Sequence, residues 1–387
     1  MPHNVKTRPS APGGTTAPPP SLSNVVTHTI PPVFDGTSRV LVLGTMPSPA
    51  SREVGFFYGH PQNRFWRVME QLLSLPDHTL VDNDARTAFL LKHHIALWDV
   101  LASCSIEGAA DSSIADPVPN DLTHILDAAP ISHVFTTGGA AAKLCRRFDG
   151  SLLRERGVTH IALPSTSGAN ARMRLDDLVL AYSPLAEQID MHLAKRAVRR
   201  VILARRDAMD AEDRATRSRE LCRELVDALD RLPARSVVSA YAAMRTEADL
   251  DAYIRAAYER DLTVAFPCMQ RATSGRQTMV MRAVSQTDYL AHDVPFINRP
   301  VASFEPSSVD EQRFPLVNPQ TIRLMPVPLV AFDDNGHRLG YGGGNYDTYL
   351  PHLSSDCTVI GAAFETQRVD RVPVEEHDRT LARICCA

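Results

Sequence analysis

The sequence reads Val327-Pro328-Leu329-Val330-Ala331-Phe332-Asp333, an apolar run, and then Gly340-Tyr341-Gly342-Gly343-Gly344-Asn345-Tyr346-Asp347, a glycine cluster that ends in a carboxylate. The apolar run is typical of a buried strand. Glycines let backbone N–H groups approach phosphate oxygens, and an acid just beyond them can hold Mg²⁺. The order of these parts predicts an α/β fold whose loop binds ATP. The cluster is neither a Walker motif nor a dinucleotide fingerprint, and a plain turn remains an alternative interpretation.

A second informative segment lies upstream, where the strand Arg39–Leu43 runs into Gly44–Ser48. Apolar, β-rich runs alternate with helical ones from residue 33 to residue 183, which predicts a mainly parallel sheet with helices. Gly44–Ser48 and Pro164–Asn170 each follow a predicted strand directly. Because ligand sites gather at the carboxyl ends of parallel strands, we expect these two loops to form one pocket.

The length of 387 residues suits two domains. We expect a disordered tail rich in Pro, Ser and Thr at residues 1–24, a first domain at 25–190 and a second at 191–387. No internal repeat is visible, so the two domains differ. The predicted fold class is α/β, with two three-layer α/β/α domains, of which the first has a mainly parallel sheet and the second is Rossmann-like.

Composition excludes several classes of protein. With 41 basic and 45 acidic residues the net charge is −4, so any contact with DNA must be a local patch. No apolar stretch is long enough to span a membrane. The seven cysteines are scattered and form no C-x-x-C pair, which favours a reducing compartment and no zinc site. We therefore expect a cytoplasmic protein.

From about Lys195 to Leu381 the chain resembles 5-formyltetrahydrofolate cyclo-ligase. The resemblance rests on ordered blocks: Lys195–Arg199, Tyr241–Glu247, Glu305-Pro306, Phe332-Asp333, Arg338–Asp347, Phe364–Gln367 and Pro373–Asp378. It implies a reaction in which the γ-phosphoryl group of ATP moves to the formyl oxygen of 5-formyltetrahydrofolate. The attack of N10 and the loss of phosphate then give 5,10-methenyltetrahydrofolate.

The same resemblance implies roles for individual residues. Phosphate and ATP contacts fall on Lys195, Arg199, Arg338, Gly340, Tyr341, Gly342, Gly343, Gly344, Asn345, Tyr346 and Asp347, of which the three basic residues also act in catalysis. Folate contacts fall on Met244, Glu247 and Tyr346, and Mg²⁺ contacts on Asp347 and Asp378. Many members have two adjacent tyrosines before the aspartate, whereas this chain has Asn345-Tyr346.

From residue 33 to residue 185 the chain resembles the uracil-DNA glycosylase superfamily, in particular its hypoxanthine-DNA glycosylase branch. The residues that carry this resemblance are Leu43–Ser48, Phe57–Trp66 and Leu163–Asn170. It implies an enzyme without a cofactor that extrudes a damaged base from DNA and cuts its glycosidic bond with water. In related branches an Asp or Asn two residues after the first glycine positions that water, but here Met46 occupies this position.

Without that acid, we expect Asn63, His60 and Ser165 to be the catalytic residues. The predicted contacts to DNA or to the flipped base are Thr45, Pro47, Phe57, Tyr58, Ser165, Ser167, Asn170 and Arg172, and Ala171–Met173 could fill the space that the base leaves. Gly168 stands where the branch commonly has proline, which predicts a looser loop. For Trp66 we expect core packing.

The combined prediction is a bifunctional enzyme, a DNA glycosylase for a deaminated base joined to an ATP-dependent folate cyclo-ligase. Its partners would be 5-formyltetrahydrofolate, ATP and damaged DNA, and no association with a membrane is expected. The alternative is a live cyclo-ligase tethered to a module that binds DNA or senses damage without catalysis. The position of Met46 leaves both interpretations open.

Overall fold

A computed structural model describes residues 25–108, 110–271, 277–376 and 378–387. The tail predicted at residues 1–24 lies outside these residues. The structure contains mainly parallel sheets flanked by helices, and the prediction of an α/β fold in both halves is confirmed.

The N-terminal half contains seven strands and eight helices among the described residues. The strands are β1 (Val25–Thr27), β2 (Val40–Gly44), β3 (Ile95–Asp99), β4 (Leu101–Ser105), β5 (Ala115–Pro119), β6 (His133–Thr137) and β7 (Thr159–Leu163). The helices are α1 (Pro49–Val54), α2 (Phe65–Leu72), α3 (Asn83–Lys92), α4 (Thr123–Ala128), α5 (Gly139–Phe148), α6 (Gly150–Glu155), α7 (Leu175–Ala181) and α8 (Ser183–Ile189), and a 3₁₀ turn spans Asp111–Ser113.

The central sheet of this half is parallel and has the order β3-β2-β6-β7. All residues of β2 and β3 are buried, as expected for strands that are covered on both faces. A small antiparallel sheet, β1-β4-β5, lies beside it. The register places Gly44 opposite Asp99, so the ends of β2 and β3 meet at the same edge. That edge carries the first site.

The C-terminal half contains nine strands and six helices among the described residues. The strands are β8 (Val237–Ser239), β9 (Thr263–Arg271), β10 (Gln277–Val284), β11 (Ser303–Phe304), β12 (Ile322–Pro328), β13 (Ala331–Phe332), β14 (Arg338–Leu339), β15 (Thr358–Ala363) and β16 (Arg383–Cys386). The helices are α9 (Met191–Asp207), α10 (Ala211–Leu229), α11 (Asp251–Glu259), α12 (Gln286–Leu290), α13 (Pro295–Asn298) and α14 (Asn345–Tyr349), with 3₁₀ turns at Pro306–Ser308, Pro319–Thr321, Leu350–His352 and Glu365–Gln367.

A seven-stranded sheet organises this half, in the order β10-β9-β8-β12-β15-β16, with β11 paired to β9. Every pair in it is parallel except β9 with β10. The single strand predicted at Val327–Asp333 is wrong, since β12 ends at Pro328 and Ala331-Phe332 pairs with Arg338-Leu339 in a separate hairpin. The glycine loop follows directly after the second strand of this hairpin.

Helix α9 packs against both halves. Ala194, Ala197 and Val201 are buried in the hydrophobic core of the first half. On another face of the same helix, Val198 and Ile202 pack into a core cluster that is formed mainly by the second half. The helix begins at Met191 because the side chain of Asp190 caps it by accepting from the backbone N–H of residue 192.

Ion pairs join the two halves beside this helix. Arg205 of α9 lies 2.6 Å from Asp177 of α7. Arg371 lies 2.6 Å from Glu187 of α8, whose side chain is buried. In addition, Arg200 donates to the backbone oxygen of Gln71 at 3.2 Å. The two halves are thus packed together through α9.

Candidate active sites

The first cavity, of about 370 Å³, lies at the carboxyl ends of the parallel strands in the N-terminal half. The structure brings together here most of the residues that the sequence predicted for this domain: Thr45, Pro47, Phe57, Tyr58, His60, Asn63, Ser165 and Ser167. Met46 also lines the cavity. As expected, Trp66 lies in the core instead, where its indole N–H donates to the backbone oxygen of Phe57 at 3.1 Å.

A buried carboxylate that sequence analysis missed lies on the cavity floor. Asp99 ends β3, and its Oδ2 accepts from Nε2 of His28 at 2.9 Å. Burial raises the pKa of Asp99, against the hydrogen bond from His28, which lowers it. The Oδ1 atom lies directly beneath Gly44, where a Cβ atom would come within 2.1 Å of it. The absence of a side chain at residue 44 therefore leaves this oxygen room beside the cavity.

Tyr58 has an unusual backbone conformation for a large residue, with φ of 53°. Left-handed backbone at a bulky side chain costs free energy and is found where the surrounding structure holds it in place. Two contacts hold it here, a 2.8 Å hydrogen bond between its hydroxyl and Thr137, and stacking on Phe65 with ring centres 4.0 Å apart. The conformation sets the phenol against the cavity wall.

Hydrogen bonds orient the amide of Asn63. Its Oδ1 accepts from the backbone N–H of Phe65 and from the hydroxyl of Thr166, each at 2.9 Å. An amide oxygen has two lone pairs, and these two donors use them. The NH₂ group is therefore the part of Asn63 that can bind a ligand. His60 accepts the backbone N–H of Gln62 at Nδ1, so its Nε2 carries the proton when the ring is neutral.

Arg64 clamps the loop that follows β7. Its guanidinium donates to the backbone oxygens of Ser167 and Asn170, both at 2.9 Å, and to that of Met173. This arginine holds several of the loop's carbonyl groups at once, which opposes the looser loop expected from Gly168. Sequence analysis missed Arg64, since its partners lie about a hundred residues further along the chain.

Two predicted DNA contacts lie outside the cavity. The side-chain amide of Asn170 donates to the backbone oxygen of Ser165 at 2.9 Å and so braces the loop. Arg172 is exposed. Met173 packs against the core of this half, which leaves Arg172 as the exposed side chain at the centre of the predicted wedge segment.

A second carboxylate that sequence analysis missed stands at the lip of the same cavity. Asp111 begins the 3₁₀ turn after β4, and the hydroxyl of Thr45 donates to its Oδ2 at 3.2 Å. Although part of the residue is exposed at the surface, burial of its carboxyl raises the pKa of Asp111; the hydrogen bond from Thr45 opposes this shift, and the neighbouring Asp99 adds to it. The chain thus supplies two acids, Asp99 and Asp111, to a site whose expected acid is replaced by Met46.

The second cavity, of about 380 Å³, lies between α9 and the glycine loop. All the residues predicted for ATP, folate and Mg²⁺ line it: Lys195, Arg199, Met244, Glu247, Arg338, Gly340, Tyr341, Gly342, Gly343, Gly344, Asn345, Tyr346, Asp347 and Asp378. His192 and Glu375 join them, and sequence analysis missed both.

Lys195 is buried between two acids. Its Nζ lies 2.8 Å from Glu375 and 2.6 Å from Asp378. Burial lowers the pKa of this lysine, but the hydrogen bonds that it donates to Asp378 and Glu375 outweigh that effect and raise it. The side chain is therefore a fixed positive charge at the cavity wall.

Two arginines hold the glycine loop. Arg199 donates from Nε to the backbone oxygen of Gly340 at 2.7 Å, and its guanidinium lies under Gly342, where φ is +104°. Arg338 lies 2.7 Å from Oδ1 of Asp347. Glycine suits residue 342 because only it adopts such a φ without strain. Asn345 turns its side chain back toward Gly343.

A buried acid lies on the opposite side of the second cavity. Oε2 of Glu247 accepts from the backbone N–H of Met244 at 2.7 Å, and its buried Oε1 has no hydrogen-bond partner within the described ranges. Burial raises the pKa of Glu247, against the Met244 hydrogen bond, the charge of Arg206 and the nearby hydroxyl of Tyr341, all of which lower it. Arg206, which is also buried, donates to the hydroxyl groups of Thr246 and Tyr341 and so supports this wall.

The donor set suits Mg²⁺ at one position. Mg²⁺ keeps several waters and binds one or two carboxylates together with substrate phosphates. Asp347 has one oxygen bonded to Arg338, which leaves its other oxygen for an ion. Across the described part of the chain, no group of three or more His, Cys, Asp and Glu side chains could hold a metal by itself. Nor is any described helix long and apolar enough to cross a membrane.

Comparisons with known proteins give a family match for each half. The model of the uracil DNA glycosylase superfamily matches residues 31–185, and that of the 5-formyltetrahydrofolate cyclo-ligase family matches residues 191–387. The chain is 34% identical to hypoxanthine DNA glycosylase of Methanosarcina acetivorans over 148 residues, which are 37% of this chain and 87% of the relative. For the glycosylase of Methanosarcina barkeri the identity is 32% over 142 residues, 37% and 87% of the two chains. For 5-formyltetrahydrofolate cyclo-ligase of Mus musculus it is 24% over 200 residues, 51% and 95% of the two chains.

Proposed function

Because the chain belongs to the uracil DNA glycosylase superfamily through residues 31–185 and to the 5-formyltetrahydrofolate cyclo-ligase family through residues 191–387, we propose that it performs two reactions. The first half excises a deaminated base, hypoxanthine or uracil, from DNA. The second half uses ATP to convert 5-formyltetrahydrofolate to 5,10-methenyltetrahydrofolate. The observation that carries the proposal is that each half gathers its polar side chains in one cavity of suitable size.

Charge supports phosphoryl transfer in the second cavity. Moving a phosphoryl group requires positive charge around it and little covalent help from the protein. Lys195, Arg199 and Arg338 surround the glycine loop, and the loop brings backbone N–H groups to the same space. Mg²⁺ held by Asp347 would neutralise part of the phosphate charge. Since Lys195 and Arg338 are already fixed by carboxylates, they need no reorganisation when the substrate binds.

The open oxygen of Glu247 supports folate binding. The aminopyrimidinone edge of a pterin presents paired N–H donors, and a carboxylate accepts them well. Burial without a partner is costly for a polar atom, so a ligand that donates to Oε1 gains from satisfying it. Met244 and Tyr346 supply apolar surface beside it.

The cyclo-ligase proposal is tested by the absorbance of the methenyl product in a reaction with 5-formyltetrahydrofolate and ATP. We expect the wild type to form product and Lys195→Met to lose at least about 100-fold in rate. Arg196→Met is the matched control, because Arg196 lies on the same helix but is exposed and outside the cavity. No ATP-dependent product from the wild type would refute the proposal.

In the first cavity, the floor supports recognition of a deaminated base. Deamination of adenine converts the N1 acceptor of its pairing edge to an N1–H donor, and uracil presents a similar N3–H. A carboxylate accepts such a donor, whereas it repels the lone pair of adenine N1. Asp99 is held by His28 with its other oxygen beside Gly44 and suits this role. The NH₂ group of Asn63 can stabilise the departing base.

Single-turnover base release from a duplex with one deoxyinosine or one deoxyuridine tests this half. We expect release by the wild type and a loss of at least about 100-fold in Asn63→Ala. Asn83→Ala is the control, because Asn83 lies on α3 outside the cavity and bonds the backbone oxygen of Val54. DNA binding without release from either duplex would favour the alternative, a module that senses damage without catalysis.

A further inference from the structure

Attack of water on a glycosidic bond frees one of the water's protons, and a side chain that orients the water and accepts this proton accelerates the reaction. Met46 stands at the position where related branches carry an Asp or Asn, and a thioether is too weak an acceptor for this purpose. The question is therefore which other side chain of this chain can orient the water. This inference rests on the proposed glycosylase activity.

The polar side chains predicted from sequence do not meet this requirement. The oxygen of Asn63 already accepts two hydrogen bonds. His60 accepts a backbone N–H at Nδ1, so its Nε2 carries a proton and donates. The hydroxyl of Ser165 accepts from the backbone N–H of Ser167 at 3.3 Å, and an unactivated hydroxyl is a poor base in any case.

The two carboxylates occupy different places. Asp99 lies buried beneath Gly44, with one oxygen bonded to His28. Asp111 lies at the lip of the cavity, where its carboxylate accepts a hydrogen bond from the hydroxyl of Thr45, the residue directly before Met46. Its Oδ1 makes no hydrogen bond within the described part of the chain. The carboxylate of Asp111 thus lies near the end of β2, where related branches carry an Asp or Asn, although Asp111 belongs to the segment that follows β4.

We propose that Asp111 orients and deprotonates the attacking water in place of Met46. The water oxygen forms a bond to C1′ of the deoxyribose while the bond from C1′ to the base nitrogen breaks and its electron pair leaves with the base. One water proton passes to Oδ1 of Asp111 and returns to solvent or to the released base. The hydroxyl of Thr45 keeps the other carboxylate oxygen in place.

The test compares single-turnover base release, at enzyme concentrations that saturate DNA binding, by wild type, Asp111→Asn and Asp116→Asn. Asp116 is a matched control, because it lies on the next strand, is exposed and does not line the cavity. Its backbone φ of 49° is one that asparagine tolerates well. We expect Asp111→Asn to lose about 100-fold or more in rate with unchanged DNA affinity, and Asp116→Asn to match the wild type.

A second variant tests whether the acid is exchangeable. Adding Met46→Asp to Asp111→Asn restores a carboxylate at the position used by related branches, and we expect at least a tenfold recovery of the rate. The inference is overturned if Asp111→Asn releases base within threefold of the wild type, or if the double variant binds DNA and melts like the wild type without any recovery. Absence of release by the wild type would instead refute the proposed glycosylase activity.

Discussion

The contact between Gly44 and Asp99 leads to a prediction about the substitution Gly44→Ala. Gly44 has no positive φ, so its backbone accepts alanine and the cost comes from the contact alone. The new Cβ would lie 2.1 Å from Oδ1 of Asp99, whereas ordinary contact begins at 3.4 Å, so the carboxylate must move by about 1.3 Å. That movement stretches or breaks its 2.9 Å hydrogen bond to His28.

The expected free-energy cost has two parts. Overpacking of a core costs roughly 1–3 kcal/mol, and loss of a hydrogen bond to a charged group about 1.5–3 kcal/mol. We therefore expect Gly44→Ala to lower the free energy of unfolding by roughly 2.5–6 kcal/mol, which corresponds to about 5–24 °C in Tm for a domain of this size. Because Asp99 is displaced from the cavity floor, base release should slow as well.

Thermal unfolding and single-turnover base release measure both effects. Gly139→Ala is the control, because among the described residues no atom outside its chain neighbours and its own helix backbone lies within 4 Å of the position its Cβ would take. It should melt at or slightly above the wild-type temperature. If Gly44→Ala melts within about 2 °C of this control and releases base at the wild-type rate, the assignment of Asp99 to the cavity floor is refuted.

Three further predictions concern charged groups. Burial raises the pKa of Asp149 to about 6, so the folded carboxyl holds its proton more tightly than the unfolded chain does, and stability should fall as pH rises from about 4 to about 6. Asp149→Asn should therefore unfold at a higher urea concentration than wild type at pH 7 but not at pH 4, and an equal difference at both pH values would contradict the reasoning. Lys195→Met should reduce the Tm as well as the cyclo-ligase rate, because Glu375 and Asp378 lose the cation that they share. Base release should stay unchanged. A wild-type Tm of this variant in a scanning calorimeter would contradict the stabilising role of the Lys195 ion pairs. Glu247→Gln should raise the KM for 5-formyltetrahydrofolate and leave the KM for ATP within about twofold, and steady-state kinetics in which the KM for ATP rose equally would remove this residue from the folate edge.

Sequence patterns predicted the strands that are followed by a distinctive loop. β2 and β7 lead into segments that contain glycine or serine. The end of β7 at Leu163 was predicted correctly, and β2 was predicted to end at Leu43, one residue before its observed end at Gly44. β3 was missed, because Ile95–Asp99 is a short apolar run without turn residues around it, and such a run does not reveal its structure by periodicity. Missing the strand also hid Asp99, the acid at its end.

Contacts between distant segments explain the other omissions. Arg64 follows directly after Asn63, yet its role depends on carbonyl groups more than a hundred residues away. Asp111 stands in a segment with no motif, and only the fold brings it to Thr45. In the second half, by contrast, the predicted residues came from contiguous blocks of sequence and met in one cavity, although the strand before the glycine loop was predicted to be longer than it is.

The position of α9 limits how this protein can be divided. A cut after residue 190 would leave Ala194, Ala197 and Val201 on the cyclo-ligase fragment as an exposed apolar stripe, and the glycosylase fragment would lack part of its core. Fragments of this kind aggregate more readily than the intact chain. The same helix carries Lys195 and Arg199, so a substitution that loosens the core of the first half also loosens the support of these two residues, for which we propose contacts with phosphate. The two halves are therefore not independent modules, and substitutions in the core of either half are constrained by the packing of the other half against α9.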